Sequence, residues 1–239
     1  MKTYNVMNDV VLKKNESGKL DLTSQPMDDL DRACLEHILA HRHQEIHALD
    51  IGGGAGKHSI RMAQAGAKVT LIDRKDPSHN IEKAIDGGAV SEGAITTAQE
   101  EFTAIDPQIL APYHILYSQR ALNYLPYKEF MRLLTDLTTY LACEGKLYLS
   151  VSGFDNEFGK TLDMRDNPLP TRYGLPDHAM RRKHKIYTPT LIFKKEELED
   201  LKKNVSLKSR SSFNQVLLEK NKKNIKSFLK NIGYYFSDV

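Results

Sequence analysis

The stretch Asp50-Ile51-Gly52-Gly53-Gly54-Ala55-Gly56 constrains this chain more than any other. It follows a short apolar run, Ile46 to Ile51, and precedes a helical pattern that starts near Lys57 and reaches Gln64, where Gly66 stops it. The glycines let the backbone turn sharply and let a ligand approach the main chain closely. The helix behind them offers N–H groups to a carboxylate or phosphate. The next apolar run, Lys68 to Asp73, ends on an acid 17 residues past Gly56. Its carboxylate can accept both hydroxyls of a ribose. A strand–loop–helix–strand unit that binds a nucleoside cofactor follows. Two other loop types do not fit. The dinucleotide pattern GxGxxG would end on Lys57 if started at Gly52, and on Ser59 if started at Gly54. No Gly-Lys-Ser/Thr closes a P-loop.

The rhythm of strand and helix continues along the chain. Residues 78–86 read as a helix, Ala94 to Thr97 as a third strand and Tyr113 to Ser118 as a fourth. Leu133, Leu134, Leu137 and Leu141 mark a helix over about 127–142, and Lys146 to Val151 a fifth strand. Such alternation implies a parallel sheet with helices on both faces. Before it, Pro26, Asp28, Asp29 and Asp31 signal a helix start, with acids near the positive end of the dipole. Leu30, Ala33, Cys34, His37, Ile38 and His41 then share one helical face. Residues 1–24 suggest a small hairpin.

After the fifth strand the rhythm breaks. Residues 153–190 are rich in turn formers, with one short helix near 177–184, and are too long for an ordinary connection. They read as a lid or insertion. A charged helix follows over 194–203, then strands over Val205 to Ser211 and Gln215 to Glu219. Ile225, Phe228, Leu229 and Ile232 give a terminal amphipathic helix. The organisation expected is an N-terminal helical cap over 1–44, a cofactor-binding domain over 45–220 carrying the 153–190 lid, and a C-terminal helix over 221–239.

Composition narrows the class. The chain has 239 residues, 40% hydrophobic and 27% charged, which suits a globular domain with a full core. It holds no apolar run near the ~18 residues of a membrane span and no signal-peptide pattern. Cys34 and Cys143 make no disulfide framework. A cytoplasmic protein is expected. Residues 181–239 carry 15 Lys+Arg against 6 Asp+Glu, a net of +9. The lysines read as a solvated face opposite the apolar stripe, so tight nucleic-acid binding is not expected.

Taken in order, the glycine loop, the acid ending the second strand, the Ser118-Gln119-Arg120-Ala121-Leu122-Asn123-Tyr124-Leu125 stretch and the Leu141-Ala142-Cys143-Glu144-Gly145-Lys146-Leu147 stretch resemble the class I S-adenosylmethionine-dependent methyltransferases. The likeness is strong over 45–152 and loose up to 220. It departs at Cys143-Glu144-Gly145, where that family carries Pro-Gly-Gly. The resemblance implies a Rossmann-like, seven-stranded, mostly parallel sheet and S-adenosyl-L-methionine as cofactor, with S-adenosyl-L-homocysteine as product. By the same resemblance Gly52, Gly53, Gly54 and Gly56 would pass under the methionine part, and Asp50 would support the loop and the cofactor's amino group. Asp73 would hold the ribose. Glu101, with Glu100 beside it, would read the adenine amine, and Ser118 would floor the transfer pocket.

The chain carries neither Asn/Asp-Pro-Pro-Tyr nor Pro-Cys after the fourth strand, which disfavours base-amine and cytosine-carbon methylation. A small-molecule acceptor methylated on oxygen or nitrogen is expected. A methyltransferase acting on RNA or protein and a non-catalytic cofactor-binding protein stay open. Tyr124, Tyr173, His178 and His184 are candidate bases, and Arg120 a candidate for holding an acidic acceptor. His37, His41, His43 and His47 read as a surface helix and its exit loop rather than as metal ligands. His58 falls near the cofactor by position, His114 in or beside a strand, and no metal is expected.

Overall fold

The structure, a computed structural model, describes residues 27–106, 110, 112–155, 159–184, 187–206 and 234–237. The expected hairpin over 1–24 lies outside these. Eight strands form one sheet. They are β1 (His47–Ile51), β2 (Lys68–Asp73), β3 (Ile95–Gln99), β4 (Tyr113–Gln119), β5 (Leu141–Gly153), β6 (Tyr173–Gly174), β7 (Thr190–Phe193) and β8 (Tyr234–Ser237). The helices are α1 (Asp29–Ala40), α2 (Lys57–Ala65), α3 (Ser78–Asp86), α4 (Tyr127–Thr139), α5 (His178–His184) and α6 (Lys195–Ser206). Among the described residues no helix is long and apolar enough to cross a membrane.

The sheet order is β3-β2-β1-β4-β5-β7-β6, with β8 paired to β5. The ladders from β3 through β5 to β7 are all parallel. The chain winds outward from β1 to β3, then returns to the other side of β1 as β4. That reversal between β1 and β4 is the switch point where ligands bind in such sheets, beyond the carboxyl ends of the strands. The far edge of β5 is shared. Tyr148 to Val151 pair with β8, antiparallel, and Ser152 and Gly153 pair with β7. The two-residue β6, antiparallel to β7, falls where no strand was expected, as do β7 and β8, and the sheet has eight strands where seven were expected.

Strand alternation sends side chains to two cores. Ala48, Val69, Ile115, Tyr117 and Tyr148 meet Leu30, Cys34, Leu35 and Ile38 of α1 and Met62 of α2. Leu49, Ile51, Leu116, Leu147 and Leu149 meet Phe130, Leu133, Leu134 and Leu137 of α4 and Leu198 and Leu201 of α6. Helices thus cover both faces, as the alternation in the sequence requires.

Several boundaries differ from the sequence reading. Of the expected 221–239 helix, only Tyr234-Tyr235-Phe236-Ser237 are described, and they form the strand β8. Its consecutive aromatics suit a pleated edge better than a helix, and they find in β5 a partner no local pattern announces. Ile225 to Ile232, which carried the helical stripe, lie outside the described residues. So does most of the Val205–Ser211 and all of the Gln215–Glu219 strand. Val205 and Ser206 themselves close α6. β5 starts earlier than expected because residues 142–145 bulge from the ladder: Tyr113 pairs with Leu141, but Ile115 pairs with Lys146. Glu144 takes a left-handed φ of 64° there. A Cβ on Gly145 would sit 2.6 Å from the Leu141 side chain, so the departure from Pro-Gly-Gly keeps the glycine the turn needs.

The 153–190 segment runs from the end of β5 to β7 and contains β6 and α5, the latter where the short helix was expected. It is anchored at two points. Buried Arg172 pairs with Glu197 of α6 at 2.7 Å and lies over the Phe154 ring. The Tyr173 hydroxyl donates to the Tyr124 carbonyl at 2.8 Å, which brings the segment to the turn that follows β4.

Candidate functional site

The glycine loop leaves β1 at the switch point. Gly52 donates its N–H to the Ile72 carbonyl at 2.8 Å, which ties the loop to β2. Gly52, Gly54 and Gly56 have φ of 74°, 57° and 81°, the left-handed region that glycine enters without cost. Their surroundings differ. A Cβ on Gly52 would lie 2.1 Å from the Cβ of Ala121, so this glycine exists to let the turn after β4 press on the loop. A Cβ on Gly53 would lie 2.7 Å from an Asp50 oxygen. A Cβ on Gly54 would meet nothing within 4 Å, so the space on that side of the loop is open. Gly56 caps α2, and no side chain occupies that cap.

Two carboxylates support the loop. Asp73, at the end of β2, accepts the Gly54 N–H on one oxygen and the Lys75 N–H on the other, each at 2.8 Å. A carboxylate has about four acceptor positions, so both oxygens keep capacity for a ligand. Asp50 is buried beneath the loop and accepts the Ser59 hydroxyl at 2.6 Å. Burial pushes its pKa up to about 6, against the opposing pull of His58 and Ser59.

The other expected site residues spread along the same edge. Ser118, near the end of β4, is fully buried, and its Oγ has no hydrogen-bond partner. Arg120 follows with a φ of 51°, and its N–H donates to the Ser150 carbonyl at 3.0 Å. Tyr124 is partly exposed in the short 3-10 turn Leu122–Tyr124. Glu101 pairs with Arg74 at 3.3 Å on the surface, two residues past Gln99, the register partner of Asp73. Glu100 donates its N–H to the Asp73 carbonyl. Tyr173 comes to this turn through its hydroxyl. His178 begins α5 and His184 ends it. Among the described residues no hydrogen bond or ion pair ties His178 to the loop or to Tyr124.

A cluster that the sequence reading did not anticipate stands beside the loop. Asp31 lies in the first turn of α1, as expected, and is buried there. One oxygen accepts the Tyr117 hydroxyl at 2.7 Å and contacts His58 Nδ1 at 2.5 Å. The other accepts from Arg61 at 2.7 Å. Burial pushes the Asp31 pKa up, but His58, Tyr117 and Arg61 together hold it below the ordinary value. Asp28, the N-cap of α1, accepts from the Gln119 side chain as well. The start of α1 is therefore bonded to α2 and to the end of β4. Spacing offered one signal: Asp31 lies three, four and seven residues before Cys34, Leu35 and Ile38, all on the buried face.

The histidines remote from the loop gather elsewhere. The His37 and His41 rings lie 4.3 Å apart, and burial, with the neighbouring His41, pushes the His37 pKa down to about 4. Among the described residues no three His, Cys, Asp or Glu side chains converge as a metal site would need.

Comparison with known proteins gives the following. The family model described as "POTRA: Surface antigen variable number repeat" matches residues 190–239, a stretch that begins at β7 and runs mostly outside the described residues. No curated protein matches. Among solved structures, the chain is similar to the 1,6-didemethyltoxoflavin-N1-methyltransferase of Burkholderia thailandensis, crystallised with 1,6-didemethyltoxoflavin and S-adenosylhomocysteine. The identity is 18%, over 52% of this chain and 53% of that one, with a TM-score of 0.41. It is also similar to the CcbJ methyltransferase of Streptomyces caelestis, at 19% identity over 60% and 55% of the chains and a TM-score of 0.43. A third is an S-adenosylmethionine-dependent methyltransferase of Clostridium acetobutylicum, at 9% identity over 54% and 52% and a TM-score of 0.44. The chain spans about half the length of these structures. Its own strand order, with the reversal between β1 and β4, is what establishes the Rossmann-like α/β fold.

Proposed function

We infer that this protein binds S-adenosyl-L-methionine at the switch point and transfers its methyl group to an oxygen or nitrogen of a small-molecule acceptor. The observation that carries this is the space left open above Gly54, on a loop whose Gly54 N–H is held by Asp73 from the neighbouring strand. The residues present fit the cofactor. The left-handed glycines leave a cradle that a Cβ would fill, Asp73 keeps acceptor capacity for two hydroxyls, and Asp50 lies under the loop for an ammonium group. When bound, the cofactor supplies a methyl carbon on a sulfonium; the acceptor's lone pair forms the new bond to it, the C–S pair returns to sulfur, and the acceptor's proton leaves to a base or solvent.

The chain's own residues align and enclose. Gly52 to Gly56 set the depth of the cofactor and Asp73 fixes its ribose. Glu101 is placed for the adenine amine once it leaves Arg74. Ser118 floors the reacting end, and the 153–190 segment, tied to Tyr124 by Tyr173, covers the acceptor side. Tyr124 and Tyr173, which meet at the turn after β4, are the candidate bases on that side. Alignment of two reactants and exclusion of water is worth about 7–11 kcal/mol in favourable cases.

Two expectations follow directly. Asp73→Ala should weaken S-adenosylhomocysteine binding by about 1.5–3 kcal/mol, the scale of hydrogen bonds to a charged group. Calorimetry reads this, and an unchanged affinity would place the ribose elsewhere. The second concerns pH. Asp50 has a folded pKa of about 6 against 3.8 for the free group. Its protonated form therefore stabilises the free protein below pH 4, and that contribution is lost as the pH rises through 6. A bound ammonium favours the ionised form, so binding should expel a proton near pH 6. Affinity should fall by up to about tenfold per pH unit below that point, and Asp50→Asn should flatten the profile. Calorimetry in buffers of different ionisation enthalpy counts the proton.

The decisive experiment for the reaction is transfer of a labelled methyl group from S-adenosylmethionine to a cell extract divided into small molecules, RNA and protein. Label in the small-molecule fraction is the expected result. Label in RNA or protein would reassign the acceptor, and cofactor binding with no label anywhere would make this a non-catalytic binder.

A further inference from the structure

Residues 118–123 break local rules more densely than any other stretch of the crevice edge. Ser118 Oγ and Asn123 Oδ1 are both buried without a partner. Between them Arg120 takes a left-handed φ of 51°. Backbones there cost a residue with a Cβ about 1–2 kcal/mol, and glycine far less. The loop facing it uses glycine at each of its three left-handed positions. The strained turn is nonetheless fixed from three sides. The Arg120 N–H donates to the carbonyl of Ser150, with the Ser150 Oγ at 3.2 Å. The preceding Gln119 side chain is bonded to Asp28, and the following Ala121 rests on Gly52. Arg120 itself is exposed. Among the described residues Arg120 has no carboxylate partner, as is also true of Arg32, Arg42, Arg181 and Arg182, but it alone of these takes a left-handed φ. An observed strain at a ligand edge that a glycine would relieve points to a function for the side chain kept there.

We propose that Arg120 determines the acceptor, and that the acceptor is a small molecule carrying an oxyanion, a carboxylate or a phosphate. This rests on the methyl-transfer reading above. A guanidinium presents paired N–H donors that match either oxyanion in two parallel bonds. Its backbone sits where β4 meets the glycine loop, so an anion held there places the rest of the acceptor beside the cofactor's reacting end. The fixed turn keeps that distance constant. In this role Arg120 orients the acceptor, and no proton passes through it.

The test uses the full-length protein, labelled S-adenosylmethionine and the small-molecule fraction of a cell extract passed over an anion-exchange resin. The acceptor should be retained on the resin. Phosphatase treatment of the retained pool separates the two sources, because loss of acceptor identifies a phosphate and survival a carboxylate. Arg120→Gly should lower kcat/KM for that pool at least 100-fold, and Arg120→Lys by about tenfold, since lysine keeps the charge but not the fork. Arg120→Gly should leave S-adenosylhomocysteine affinity within twofold and the Tm unchanged or about 2–4 °C higher, as strain is relieved. An acceptor that flows through the resin overturns the proposal. So does a glycine variant with wild-type turnover, or one that binds S-adenosylhomocysteine much more weakly, because Arg120 would then serve the cofactor's own carboxylate. Absence of any transfer by the wild-type protein overturns it too; S-adenosylhomocysteine binding then tells whether the cofactor reading survives alone.

Discussion

Asp31→Ala is expected to destabilise the protein by about 3–5 kcal/mol, the cost of removing one partner from a buried ion pair. The change leaves the Arg61 guanidinium buried without its carboxylate, the Tyr117 hydroxyl without its acceptor, and His58 without its neighbour. The loss should depend on pH in a defined direction. Asp31 has its folded pKa below the ordinary 3.8, so its contribution is complete above the unfolded value and disappears as the pH falls through the folded one. Wild type and variant should therefore differ most at neutral pH and converge in strong acid. Replacing both charges, as in Asp31→Leu with Arg61→Met, should recover part of the loss, because apolar pairs of similar size can replace buried ion pairs at little cost. Denaturant unfolding at pH 7 and at low pH reads the wild type and both variants. A loss under 1 kcal/mol for Asp31→Ala would mean that the cluster contributes nothing to holding α1.

Gly52→Val and Gly54→Val should separate folding from binding within one loop. At Gly52 the new Cβ would meet Ala121 at 2.1 Å, with φ at 74°. Overpacking of about 1–3 kcal/mol adds to a left-handed penalty of about 1–2 kcal/mol, enough to unfold a marginal domain. At Gly54 the φ is 57°, but the space is open, so only the left-handed penalty applies and the protein should fold. The branched side chain then stands where the ligand must lie. Gly52→Val should be recovered poorly or melt far below wild type, while Gly54→Val should be folded and unable to bind the cofactor. Equal melting temperatures for the two variants would refute the distinction.

The parts of this molecule legible in the sequence are those where function and local backbone chemistry coincide. A glycine loop, an acid at a strand end and the helices that follow β1, β2 and β4 are short-range signals, and the structure returns them at or near the expected residues. The Asp31 cluster was not legible because its partners come from 27, 30 and 86 residues away. From α1 alone an acid in the first turn reads as a dipole partner; only the packed α2 and β4 turn it inward. β8 escaped for a related reason. Its four residues are a strand because β5 offers an edge, whereas the apolar spacing just before them is helical. The strain at Arg120 carries no sequence mark at all, since nothing in Gln-Arg-Ala announces a left-handed residue.

The central claim is that the open space above Gly54 is a binding site for S-adenosylmethionine. Calorimetric titration of wild type and Gly54→Val with S-adenosylhomocysteine, and of wild type with NAD, tests it most directly. The account predicts saturable one-to-one binding of S-adenosylhomocysteine to wild type, none to the folded Gly54→Val variant and none of NAD. NAD binding to a wild-type protein that ignores S-adenosylhomocysteine, or undiminished S-adenosylhomocysteine binding by Gly54→Val, would contradict it.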